Sequence, residues 1–150
     1  MKKNNVQQAE IYYGLDGYTK PLIRRIEADK SPIKQFVNGK SAAGFHKMTG
    51  YLVNQIISQR VEKGLEIKNL IRQEDQDLQI ELSNPKTLKE TRLLPKGFKN
   101  MNVVFAVFGN TVALSSFDKT NQLGVIITNS TIAKAFGMIF DAIWEHSTPK

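Results

Sequence analysis

Residues 102–144 read NVVFAVFGNTVALSSFDKTNQLGVIITNSTIAKAFGMIFDAIW, and their patterning decides the fold class. From Asn102 to Phe108 both alternating faces are apolar, with Val103, Phe105 and Val107 on one and Val104, Ala106 and Phe108 on the other. A strand with one wet face alternates polar and apolar residues, so this run predicts a central strand covered on two sides. Gly109-Asn110 supplies a two-residue turn whose first position accepts a positive φ, and Thr111 to Phe117 returns as the partner strand. A third strand is predicted over Gly124 to Thr128, after the polar turn Asp118 to Gln122. A helix follows, capped by Asn129 or Ser130. Its apolar stripe is expected to be Ile132, Phe136, Ile139 and Ile143, spaced by four, three and four residues and widened by Phe140 and Trp144.

Working outward to the amino-terminal side, Ala9 to Tyr13 reads as a short strand and Gly14 to Gly17 as a turn. A helix to about Ala28 is expected next, with Leu22, Ile23 and Ile26 inward. Pro21 marks its first turn, and Asp16 or Thr19 is the candidate cap. Pro32 to Val37 is a strand and Ser41 to Lys63 a long helix, its apolar spacing set by Phe45, Met48, Leu52 and Ile56. Gly64 stops that helix, with Arg60 and Lys63 complementing the negative end of its dipole. Leu65 to Arg72 is another strand. Residues 73–90 are polar, with a short helix expected from Pro85, and Thr91 to Leu94 is extended. Strands alternating with helices predict an α/β domain: a mixed, largely parallel sheet flanked by helices. One domain over residues 9–147 is expected, behind a disordered tail of residues 1–8.

Composition narrows the chemistry. With 150 residues, 41% of them hydrophobic, the chain is long enough for one proper core. The sequence has no apolar run long enough for a membrane span and no secretory signal, so a cytoplasmic protein is expected. It has no cysteine, which removes disulfides, thiolate chemistry and the usual zinc ligands. His46 and His146 are far apart and unpaired by spacing, and no metal or other cofactor is expected. Glu74, Asp75 and Asp77 lack a calcium-loop pattern and read as a solvated acidic loop. The formal charge of +7 is scattered from Lys20 to Lys99 without a block of like charges, which reads as a solvated basic surface before it reads as a nucleic-acid footprint.

The order of EIYYGLDGYTKPLIRRI, YLVNQIISQRVEKGLEIKNLI, ETRLLP, the Gly-Asn hairpin with TVALSS, GVIITN and a helix ending FDAIW resembles the carboxyl-terminal effector domain of TrmB-like transcription regulators. The resemblance runs from about Glu10 to Trp144. It implies a regulatory domain similar to half of a phospholipase D enzyme, without the winged helix that precedes it in that family. It also implies a small-molecule effector such as a sugar, and a homodimer or pairing with a DNA-binding regulator.

Phospholipase D enzymes carry His-x-Lys-x-x-x-x-Asp on the strand that leads into such a turn. Laid over this hairpin, the pattern meets Asn102, Val104 and Gly109. An amide is a poor nucleophile and valine holds no phosphate, so the expectation is a domain without catalytic activity. Ser115 and Ser116 fall where the resemblance places small residues beside a phosphate pocket; the hydroxyls either satisfy backbone groups or line a relic of that pocket. Together with Asn102 and Tyr13 they are the candidate ligand-binding residues, although a tyrosine in a first strand more commonly packs. The expected function is therefore a non-catalytic ligand-sensing or dimerising domain. A basic nucleic-acid-binding module is the alternative, and a phosphodiesterase-like enzyme comes third.

Overall fold

A computed structural model describes residues 8–29, 32–78, 82–117 and 120–150; for 41–49 it describes the backbone alone. The expected tail therefore falls almost wholly outside the described residues, as does the side chain of His46.

Among the described residues eight strands form one sheet: β1 (Ala9–Tyr13), β2 (Ile33–Val37), β3 (Ile67–Ile71), β4 (Lys89–Leu93), β5 (Val103–Phe108), β6 (Thr111–Ser116), β7 (Leu123–Thr128) and β8 (Thr148–Pro149). Their spatial order is β1-β7-β6-β5-β2-β3-β4-β8. β5 is thus interior, as its two apolar faces require. Phe105 and Val107 meet α3 (Ser130–Glu145) across one face. Val104, Ala106 and Phe108 turn to the opposite face, which carries α1 (Leu15–Arg24) and α2 (Gly39–Glu62).

The sheet is mixed and flanked by helices, as expected, but parallel pairing is confined to β2 with β3 and β3 with β4. The reason is local. A two-residue turn joins β5 to β6 and six residues separate β6 from β7, lengths too short for a parallel crossover. Gly109, at φ +57°, occupies the first turn position. The pairing of β8 with β4 extends the sheet past residue 147, and Lys150 donates its N–H to the Thr91 carbonyl at 2.8 Å.

Two helices depart from expectation. α1 begins at Leu15 behind Gly14, without a side-chain cap from Asp16 or Thr19, and Pro21 lies inside it. Its first turn sits directly on β7: a Cβ on Gly124 would meet the Gly17 carbonyl oxygen at 2.1 Å, so only glycine permits the approach. In α3, Asn129 caps as expected, accepting from the Ile132 N–H at 3.0 Å. The buried stripe, however, is Ala133, Phe140 and Trp144, with Phe136 and Ile143 beside it, while Ile132 and Ile139 are exposed. Lys34 on β2 pairs with Asp141 at 2.8 Å and the Arg92 guanidinium lies 4.3 Å from the Trp144 ring centroid, which fixes the helix rotation.

Candidate functional site

β2, β3 and β4 run parallel, so their carboxyl ends lie on one side of the sheet, beside the start of β5 and the end of β6. The polar residues that leave these strands converge there. Asn38 follows β2 and is fully buried; Arg72 follows β3 and is nearly so. Asp75, three residues on in a short 3-10 turn (Gln73–Asp75), has no exposed surface at all.

Asp75 is the hub. It accepts from Arg72 Nε at 2.7 Å and Arg72 Nη2 at 3.1 Å, a bidentate pair. It also accepts the backbone N–H groups of Gly39 and Lys40 at 3.2 and 3.0 Å, which open α2. A carboxylate from the β3 exit therefore caps α2, satisfying orphan donors where the helix dipole is positive. Asn38, the residue before α2, turns its amide to the Met101 carbonyl at 3.3 Å and to Asn102 Oδ1 at 3.0 Å. Arg72 Nη1 adds a contact of 3.4 Å to the same Asn102 oxygen. Of the acids expected in a solvated loop, Asp77 is exposed and Glu74 half-buried, but Asp75 is buried, because it both pairs with Arg72 and caps α2.

Glu74 stands at the rim. Its Oε2 accepts the Asn100 N–H at 3.0 Å and lies 3.7 Å from Arg72. Burial pushes its carboxyl up, but the backbone N–H groups of Asn100 and Glu74 and the charge of Arg72 outweigh it and hold the group below the ordinary value of 4.5.

The candidate residues named from sequence fall at this same end of the sheet, in different roles. Asn102 joins the cluster from an exposed position. Ser116 Oγ accepts the Leu123 N–H at 3.0 Å and holds the β6–β7 connection. Ser115 is buried on the α1 face and donates to the Gly17 carbonyl at 2.8 Å. Pro21 has no N–H to give the carbonyl four residues earlier, which is that of Gly17, so the serine supplies the missing donor. Tyr13 is 70% exposed at the opposite edge of the sheet, on β1.

Val104 is buried between the sheet and the α1–α2 layer, and Gly109 lies at the far end of β5, roughly 20 Å from Asn102 at about 3.3 Å per residue. Asn38, Arg72 and Asp75 were missed in sequence. An Asn-Gly pair ahead of a long helix and an acid three residues after a basic strand end were the available signals.

With the geometry in hand, the class is defined: this is the phospholipase D-like fold, in which one mixed sheet lies between helical layers. No protein-family model matches the chain, and no curated protein does. Solved structures do. TrmBL2, an archaeal chromatin protein whose structure shows a novel mode of DNA binding, superposes with a TM-score of 0.67 at 14% identity, over 97% of this chain and 54% of its own. The present chain thus spans about half of that protein. The phospholipase D family member Nuc from Salmonella typhimurium matches with a TM-score of 0.62 at 14% identity, over 95% of this chain and 97% of its own. NucT from Helicobacter pylori matches with 0.64 at 10% identity, over 95% and 98%.

Proposed function

We propose that the chain is a non-catalytic regulatory domain of the TrmB-like kind, one that senses a small molecule or pairs with itself or a DNA-binding regulator. The observation that carries this reading is the state of charge at the sheet end. Arg72, the buried cation of this cluster, is claimed by Asp75 in a bidentate pair, and Asn102 stands where the catalytic pattern has its nucleophile, with its oxygen accepting from Asn38. Phosphoryl transfer needs a nucleophile and unspent positive charge around the transferred group; neither Asn102 nor the paired Arg72 supplies them. The fold shared with TrmBL2 supports the regulatory half of the reading.

The test has two arms. Incubated with DNA and with bis(4-nitrophenyl) phosphate, the purified chain is expected to give no turnover, and turnover abolished by Asn102→Ala would end the non-catalytic reading. Sedimentation of the same chain should show a dimer; a monomer at all concentrations leaves sensing, or a hetero-partner, as the regulatory mode.

Nucleic-acid binding is the second reading, favoured by the formal charge of +7. The pairs Arg24–Glu10, Lys34–Asp141 and Arg72–Asp75 leave that net figure unchanged, whereas the charge of Arg60 is buried and does not reach the surface. Duplex affinity that falls steeply with added salt is the signature it predicts.

A further inference from the structure

Between α1, α2 and the sheet lies a cavity of about 100 Å³ whose walls are mostly aliphatic, Leu22, Val53, Ile56 and Val104 among them. Three cationic residues, Arg25, Arg60 and Lys89, line it together with Gln35, and none of the described lining residues is acidic. Its polar floor is organised. Arg25 Nη1 donates to Gln35 Oε1, Gln35 Nε2 to Asn69 Oδ1 at 2.8 Å, and Asn69 Nδ2 to Thr91 Oγ1 at 3.3 Å, which is a ladder across β2, β3 and β4.

Arg60 is the unusual member. It is 6% exposed, and its Nη1 and Nη2 donate to the backbone carbonyls of Leu65 at 2.7 Å and Thr87 at 2.6 Å. Among the described residues no carboxylate pairs with it. Burial without a charged partner pushes its guanidinium down from the ordinary value. A buried cation whose partners among the described residues are neutral carbonyls is costly, and such a cation beside an apolar space is matched by a ligand that brings both an anion and an apolar body.

We propose that this cavity is an effector site for a small organic anion, with one carboxylate paired to Arg60 and an apolar body seated against the aliphatic wall. A space of about 150 Å³ accepts benzene and this one is smaller, so the body is at most a single ring or a short alkyl chain. A neutral sugar fits poorly, because most of its hydroxyls would face hydrocarbon without partners. The inference deepens the sensing reading and rests on it for its meaning. It is tested by binding rather than by hydrolysis, so the two fail separately.

The experiment is a titration of the full chain, followed by backbone amide NMR shifts, with sodium benzoate and sodium hexanoate as probes and benzamide and maltose as neutral counterparts. The expected result is saturable shifts in α1, α2 and β5 with the acids, at least tenfold tighter than with benzamide. That preference should vanish in Arg60→Met, while Val53→Phe, which fills the space, should abolish binding of all probes. If Arg60→Met fails to fold, Val53→Phe with an unchanged circular dichroism spectrum decides. Four results overturn the proposal: no saturable binding of either acid, equal binding of benzamide, maltose binding at the same residues, or acid binding that Val53→Phe leaves intact. The last would mean anions collecting on the basic surface.

Discussion

The two ends of α2 hold their buried cations in opposite ways. At the amino end Arg72 meets a carboxylate, Asp75, which also caps the helix, so these two buried charges are partners of each other. At the carboxyl end Arg60 meets, among the described residues, only the carbonyl oxygens of Leu65 and Thr87, beside a cavity that Arg25 and Lys89 also line. Both placements suit the helix dipole, which favours an anion at its start and a cation at its end. The difference lies in what remains unspent. A closed ion pair stabilises the fold and leaves nothing for a ligand, whereas a buried guanidinium without an anion leaves charge to offer.

The largest expected effect breaks the closed end. Asp75→Ala leaves Arg72 buried without its pair and two α2 N–H groups unmatched, and should cost about 3–5 kcal/mol in urea unfolding; a loss below about 1 kcal/mol would mean that the cluster relaxes into water and is not closed. Arg60→Met should cost less, about 2 kcal/mol, because it removes hydrogen bonds to two carbonyls but also relieves the burial of an unpaired charge. A cost equal to that of Asp75→Ala would erase the contrast between the two ends. Ser115→Ala, away from both, should cost about 1 kcal/mol by leaving the Gly17 carbonyl without a donor, and little or nothing when combined with replacement of Pro21 by a residue that restores the N–H.

The smallest effect is one of pH. Glu74 is held below the ordinary 4.5 near the amino end of α2, and Glu10 is likewise held down, chiefly by its hydrogen bond to Arg24. A depressed carboxyl contributes stability that is fully present above the unfolded value and is lost as the pH falls through the folded one. The urea midpoint should therefore be flat from pH 7 to about 5 and decline below about 4.5, with a shallower decline in Glu74→Gln. Arg60 does not titrate in this range, so a ligand-free cavity should leave no mark on the acid limb.

Much of the scaffold was legible from patterning. Ala9–Tyr13 matched the first strand, the doubly apolar run before Gly109 became the interior strand, and Asn129 capped α3. Pro21 misled, because proline is costly inside a helix only when its neighbours cannot compensate, and here a serine 94 residues later does. The α3 stripe misled for another reason. Ile132–Ile139 and Ala133–Phe140 are both helical spacings, and tertiary contacts such as the ring cluster of Phe36, Phe105 and Phe140 select between them.

Local and periodic information was thus contained in the sequence alone: the element types, the Gly109 turn, the cap at Asn129, the mismatch of Asn102, Val104 and Gly109 with a catalytic pattern. Tertiary structure decided the rest. That Asp75 is a buried cap rather than a wet loop, that Ser115 serves Gly17, and that Arg60 borders a cavity with no acid among its described lining residues all depend on residues distant in the chain. Burial and the pairing of charge are set by what packs across the sheet, and no local spacing encodes that.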